Sequence, residues 1–322
     1  MAGGMRFVVL VLLILVAEVV LRVYHQHTLR RALPVGLRAE TRALIWEGIR
    51  ERYRIVCLGD SITYGDGLPG AQAYPAVLMD LIGQSHPGLD AVVINSGLCG
   101  DTSVQGLARL ERDALWYRPH VAILAFGLND GNLGFWPLDP LREREVIGDG
   151  SLLGGLEPWL NRSHLWRTLR SRAGRLARDI GWLSPAPEIT VDAAPAPRVS
   201  SRGFRMAHKR LIDALQRSGA EVMVLTPTPV MESPGLGPTA LERQRQLAIY
   251  EDYSEIIRDI AAQCGTYLLD ARTAFGQLSE ADLTPLLAAD GVHLTSAGQR
   301  LLAESVYQAL ENSALLVGRR SN

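Results

Sequence analysis

Lysine is almost missing from this chain: Lys209 is the single one among 322 residues, and arginine supplies the rest of the Lys+Arg total of 33. That preference reads as the codon bias of a GC-rich coding sequence rather than as chemistry. Against 34 acidic residues it leaves a net charge of −1, so no overall field gathers nucleic acid. Cysteine is scarce as well. Cys57, Cys99 and Cys264 are too few and too scattered for a disulfide framework or a metal knuckle, and Cys57, inside an apolar run, reads as a small buried hydrophobe. Phosphate-loop, dinucleotide and zinc-helix patterns are absent. His25 and His27 lack further nearby ligands, so no metal is expected from them. The Gly-x-Ser-x-Gly elbow fails too, because Thr63 stands where its second glycine belongs. No internal repeat is visible. The sequon Asn161-Arg162-Ser163 is read as chance.

Long apolar runs are limited to the amino terminus. Phe7 to Leu21 is apolar except for Glu18, between Arg6 and Arg22. A cleavable signal needs small residues before its cut, and cutting after Ala17 puts Leu15 at such a position. The segment 1–30 is therefore expected to be an uncleaved transmembrane anchor with its juxtamembrane stretch rather than a signal peptide. A buried helix would have to bury Glu18 and Arg22 with it. Arg22, Arg30, Arg31 and Arg38 outnumber Arg6 plus the amine, which read literally would keep the rest of the chain in the cytoplasm.

From Arg54 onward, short apolar runs alternate with helical stretches. Strands are expected at Ile55–Leu58, Ala91–Ile94, His120–Phe126, Glu221–Thr226 and Thr266–Leu269. Helices are expected at Ala73–Gln84, Val104–Trp116, Phe204–Arg217, Leu241–Gln263 and Ser296–Asn312. That alternation predicts an α/β, three-layer α/β/α, doubly wound domain over about 50–315, with a five-stranded, mostly parallel sheet of the flavodoxin type. An insert at about 132–200 interrupts it, rich in Pro and Gly and including the tract Ala193-Ala194-Pro195-Ala196-Pro197. Within it Ser163 can cap a helix to about Ile180, with arginines opposite an apolar face. A surface helix packed on the domain is one reading of it; an interfacial helix, or a cover over the site, is the other.

Ligands of an open parallel sheet bind beyond the carboxyl ends of its strands. Those ends carry Gly59-Asp60-Ser61, Asn95-Ser96-Gly97 and Gly127-Leu128-Asn129-Asp130, and before the last helix comes Asp290-Gly291-Val292-His293. Together they supply a hydroxyl, backbone donors, an amide, and an imidazole three residues from a carboxylate. That set suits acyl transfer. Ser61 is the candidate nucleophile, His293 its base and Asp290 the group that orients the ring. The amides of Ser61 and Gly97 and the side chain of Asn129 are the candidate oxyanion donors. Asp60 and Asp130 are expected to brace loops through backbone hydrogen bonds. Singly, each motif is weak: Ser61 alone is as easily a helix cap, and His293 a core histidine. Their shared placement carries the reading.

These segments resemble the sequence blocks of the SGNH/GDSL hydrolase family: Gly59-Asp60-Ser61-Ile62-Thr63, Gly97, Gly127-Leu128-Asn129-Asp130 and Asp290-Gly291-Val292-His293-Leu294. Asn95 to Ser103 resembles the arylesterase, thioesterase and lysophospholipase branch. The resemblance covers Arg54–Trp136 and Phe204–Asn312, and leaves out the apolar segment and the insert. It implies an esterase or lipase that needs no cofactor and no metal; the codon bias and the apolar run add the expectation of a bacterial, membrane-anchored member. Its partners would be a small-molecule, glycan or lipid ester and, through the amino-terminal helix, the membrane. Anchored relatives usually face outside the cytosol, so the catalytic domain is expected to be periplasmic or extracellular. An acyltransferase acting on an envelope glycan or lipid, and a non-catalytic scaffold, are the alternatives. The second would be expected to have lost Ser61 or His293. No signal of oligomeric state is legible.

Overall fold

The computed structural model describes residues 46–134, 139–147, 195–233, 236–237, 239–276 and 278–316. The chain divides into two compact units. Of one, Met1–Gly48 with Ile147–Ala193, only residues 46–48 and 147 are described; the other, Ile49–Val146 with Ala194–Asn322, carries everything that follows. The apolar run Phe7–Leu21, His25, His27, the sequon and the expected helix Ser163–Ile180 lie outside the described residues. Among the described residues no helix is long and apolar enough to cross a membrane.

Five strands form the sheet: β1 (Tyr53–Gly59), β2 (Ala91–Gly97), β3 (Val121–Ala125), β4 (Glu221–Leu225) and β5 (Tyr267–Leu269). All neighbours pair parallel, in the order β2-β1-β3-β4-β5. This is the doubly wound arrangement expected from the alternation. Parallel strands covered on both faces must be apolar throughout. β1 obeys over its centre, where Ile55, Val56, Cys57 and Leu58 are all fully buried, and Arg54 at its start is the charged exception. A two-residue antiparallel ribbon, Leu133–Gly134 with Ala196–Pro197, stands apart from the sheet.

The helices that frame the sheet and the site are α1 (Ser61–Tyr64), α2 (Tyr74–Ser85), α3 (Ser103–Asp113), α4 (Leu128–Gly131), α5 (Ser201–Arg217), α6 (Ala240–Cys264) and α7 (Ser296–Asn312), with shorter ones at Asp139–Ile147, Ala271–Gly276 and Glu280–Leu283. α2 packs on α7, while α5 packs on both α3 and α6. Local signals explain where they start. Thr102 with Gln105, and Thr239 with Glu242, form capping boxes at α3 and α6. Ser200 and Thr295 cap α5 and α7 with their hydroxyls. The long helix α6 ends at Gly265, whose φ of 62° is left-handed.

One difference from the sequence expectation bears on the site. β2 runs through Asn95, Ser96 and Gly97, three residues past its expected end, pairing Gly59 with Gly97. β2 is an edge strand whose residues are mostly half-buried, so polar and small side chains fit its exposed end.

Arg109 of α3 fastens that end. Its guanidinium donates to the carbonyls of Gly59 (2.9 Å) and Ser96 (2.8 Å) and pairs with Asp101 (2.6 Å) and Asp113 (3.2 Å). Burial pushes the Asp101 carboxyl up, and the hydrogen bond and charge of Arg109 pull it back. Removing one partner of a buried pair strands the other. Arg109→Met keeps the length of the side chain, yet it should lower unfolding free energy by about 3–5 kcal/mol at neutral pH. Urea denaturation checks this, and a loss below about 1 kcal/mol would show the cluster to be dispensable.

Candidate active site

Gly59 ends β1 where no side chain fits: a Cβ there would lie 2.1 Å from Thr63 Oγ1 and 2.6 Å from the Ala125 carbonyl. The chain then turns at Asp60, whose Oδ1 accepts from the Ile62 amide at 3.0 Å and so caps α1. Ser61 opens that single turn, and Gly65, with φ of 83°, closes it. First-turn amides have no carbonyl behind them. Consistent with that, the Ser61 N–H has no hydrogen-bond partner among the described residues.

The second half of the site is a tight turn before α7. The Ala288 amide donates to the His293 carbonyl (2.7 Å), and the Gly291 amide to the Ala288 carbonyl (2.9 Å). Gly291 sits at φ 72° and packs against Met231 and Ser233. Ser233 donates its hydroxyl to the Asp290 carbonyl at 2.6 Å, and the Met231 amide donates to the Gly291 carbonyl at 2.9 Å. Inside the turn, Asp290 Oδ1 accepts from the amides of Val292 and His293, both at 2.9 Å. Asp290 Oδ2 lies 2.6 Å from His293 Nδ1. Burial tends to raise the Asp290 carboxyl, but the hydrogen bonds from His293 and from the two amides outweigh it and hold the group below its ordinary value. An ionised carboxylate only accepts, so the Nδ1 proton points to Asp290 and Nε2 keeps its lone pair. Nε2 lies 3.0 Å from Ser61 Oγ, so the structure brings together Ser61, His293 and Asp290. Such a chain can draw the proton from the hydroxyl as it attacks a carbonyl.

The expected oxyanion donors fare differently. Asn129, half-buried in α4, donates its carboxamide to no group among the described residues. The Gly97 amide, by contrast, is already taken: it donates to Asn95 Oδ1 at 2.9 Å. Gly97 instead lets β2 lie against α1, since a Cβ there would be 2.2 Å from the Tyr64 nitrogen. Because β2 runs on to Gly97, the turn that follows falls at Gly100, which has φ 79° and an N–H with no partner among the described residues. The Gly100 carbonyl is held by Arg198 at 2.8 Å. The sequence reading missed Gly100. Its signal was the glycine just ahead of the Thr102 capping box.

The family profile of GDSL-like lipases and acylhydrolases matches residues 57–301, a span that contains all of these groups. The chain belongs to that family. An arylesterase of Vibrio mimicus is 36% identical over 84 residues, 26% of this chain and 41% of its own length. A protein of Escherichia coli K12 described as thioesterase 1, protease 1 and lysophospholipase L1 is 39% identical over 83 residues, 26% of this chain and 38% of its own. The chain thus matches only about two fifths of the length of these relatives. A crystal structure of a lipase/acylhydrolase from Enterococcus faecalis superposes with a TM-score of 0.51 at 20% identity, covering 81% of this chain and 96% of that one. It shares the fold.

Within this GDSL-like domain, Asp60 and Asp130 make the backbone bonds expected of them. Asp60 takes the Ile62 amide, and Asp130 takes the amide and hydroxyl of Ser103, tying α4 to α3. Burial pushes Asp60 up to about 7 despite the Ile62 amide and the His293 charge, and pushes Asp130 to about 7 despite Ser103. Asp66 is a residue that sequence reading passed over. The left-handed Gly65 returns the chain so that the Asp66 amide donates to the Ser61 carbonyl (3.1 Å), and its Oδ2 stands 3.8 Å from His293 Nε2.

The raised Asp60 carboxyl fixes a pH trend. The unfolded chain releases that proton near pH 4 and the folded one only near 7, so stability falls as pH rises through this window. Asp130 contributes in the same direction. Asp60→Asn can still accept from Ile62 but has no proton to lose. Relative to wild type, its urea midpoint should therefore improve between pH 4.5 and pH 7.5. A difference between the two proteins that does not change with pH would show that Asp60 does not titrate in that range.

Proposed function

We propose that the protein is a serine ester hydrolase that works through an acyl-enzyme on Ser61. The unbroken chain from Asp290 (2.6 Å to His293) through His293 (3.0 Å to Ser61) is the observation that carries this reading. Ser61 Oγ attacks the acyl carbonyl as its proton passes to His293 Nε2. The imidazolium is balanced by Asp290 and returns the proton to the departing alcohol. Water, deprotonated by the same nitrogen, then releases the acid. The negative oxygen of each tetrahedral intermediate is received by the Ser61 amide, the Asn129 carboxamide and the Gly100 amide, the last in place of Gly97. The arylesterase and thioesterase names of the relatives support an acyl ester substrate. Intact Ser61 and His293 in hydrogen-bond contact leave a non-catalytic scaffold without support. Transfer to an acceptor alcohol would use the same groups, and no feature of the described residues favours it over water.

The apolar run Phe7–Leu21, its poor cleavage site and the habit of anchored family members support attachment to the membrane, with this domain outside the cytosol. Reporter fusions after Asn322 test that. Activity from a cytosol-only reporter, with none from a periplasmic one, would reverse the orientation.

Four substitutions should have unequal effects on hydrolysis of p-nitrophenyl acetate. Ser61→Ala should abolish turnover and labelling by a fluorophosphonate. His293→Ala should cost about 10²–10⁴-fold in rate. Asn129→Ala should lower kcat by about 10²–10³-fold with little change in KM, because its bond strengthens only in the transition state. Asp290→Asn should also lose rate heavily, since no other acceptor for Nδ1 is found among the described residues. All four side chains lie on loops or first turns beyond the strands, so folding should survive. Near wild-type turnover by folded Ser61→Ala would remove the nucleophile assignment and the mechanism with it.

A further inference from the structure

Asp66 is a charged group beside the reacting atoms that the mechanism above does not use. Its Oδ2 lies 3.8 Å from His293 Nε2, and the imidazole is its single ion-pair partner among the described residues. The carboxylate is not a strut of the fold: its side chain is 48% exposed and accepts no backbone amide among the described residues. The backbone that carries it is well fixed, since the Asp66 amide donates to the Ser61 carbonyl. The Cys99 thiol is pushed up by burial and then by the nearby Asp66 charge. Asp66 thus lies beside His293, just after α1 and near Cys99 of the turn that holds Gly100.

Position relative to Nε2 decides what such a group can touch. Nε2 takes the proton from Ser61 and hands it to the departing oxygen. A side chain within 4 Å of Nε2, other than Ser61 itself, therefore borders the space through which the alcohol portion of the ester leaves. Asp290 acts on the other ring nitrogen, and Asp60 is buried beneath the nucleophile. The charge that the alcohol portion meets is that of Asp66.

We propose that Asp66 is a specificity residue for the alcohol portion of the ester, favouring a cationic alcohol and rejecting an anionic one. This rests on the Ser61–His293 mechanism. Two unit charges a few ångströms apart in a half-exposed site interact strongly enough to separate otherwise matched substrates by about tenfold in kcat/KM. Acidic leaving groups, such as phosphorylated or sulfonated alcohols, are repelled at the step that needs them close to Nε2. Ammonium-bearing alcohols are drawn in.

Three butyrate esters of similar size test this: those of choline, of its uncharged isostere 3,3-dimethylbutanol, and of 2-hydroxyethanesulfonate. Wild type should rank them in that order, with about tenfold in kcat/KM between the first and the last. Added salt should compress the ranking, because exposed charges are screened. Asp66→Asn should bring the three within about twofold of one another, and Asp66→Glu should restore the order. Because the comparison is between esters on one protein, a general loss of activity in a variant cancels. A wild-type enzyme indifferent to the charge of the alcohol, or an Asp66→Asn variant that keeps the full ranking, would overturn the proposal. Ser61→Ala separates the two ideas. If it still turns over the esters, the nucleophile assignment fails; if it is inert while wild type shows no ranking, Asp66 alone is misassigned.

Discussion

The site depends on one buried guanidinium. Arg109 joins the last carbonyl of β1 to the β2 carbonyl of Ser96 and to Asp101 in the turn beyond. On one side of this knot the chain turns into Asp60 and Ser61; on the other it runs through Gly97 to Gly100. Ser61 and the turn at Gly100 are therefore referenced to the same planar group. A fork of five donors suits this, because it can bind two carbonyls and a carboxylate at once. A lysine ammonium would not span them.

The framework was legible because it follows from periodicity. The apolar runs within β1 and β3 read as strands of a covered sheet, and the structure starts helices at caps Thr102, Thr239 and Thr295 within a few residues of where the periodicity put them. The grouping of Ser61, Asn129, Asp290 and His293 was legible because a parallel sheet gathers its carboxyl ends at one edge. Legibility failed where a residue has two uses. Asn95-Ser96-Gly97 has turn composition, yet it continues an edge strand that tolerates it, so the turn falls at Gly100 rather than at Gly97. Nothing in the sequence separates Arg109 from Arg112 one turn on, although the first is 9% exposed and the second 53%. Asp66 is beyond periodicity altogether, because its place beside His293 follows from the left-handed Gly65.

The buried carboxyls show how these loops are ordered at a cost. Asp60 and Asp130 take up backbone amides that would otherwise be unpaired near the site, and both pay for it in desolvation. Apolar residues at those positions would relieve the desolvation and leave the Ile62 and Ser103 amides without acceptors. The loops keep their shape through the carboxyls, and Ser61 inherits its direction from one of them.

Asp290 and His293 belong to a single short turn whose internal bonds join carboxylate, ring and backbone. Base and counter-charge are therefore one mechanical body. Both are tied to the rest of the domain through Ser233 and Met231, so the ring cannot leave its carboxylate without breaking the turn. Any displacement of the ring that keeps those bonds must carry its carboxylate with it.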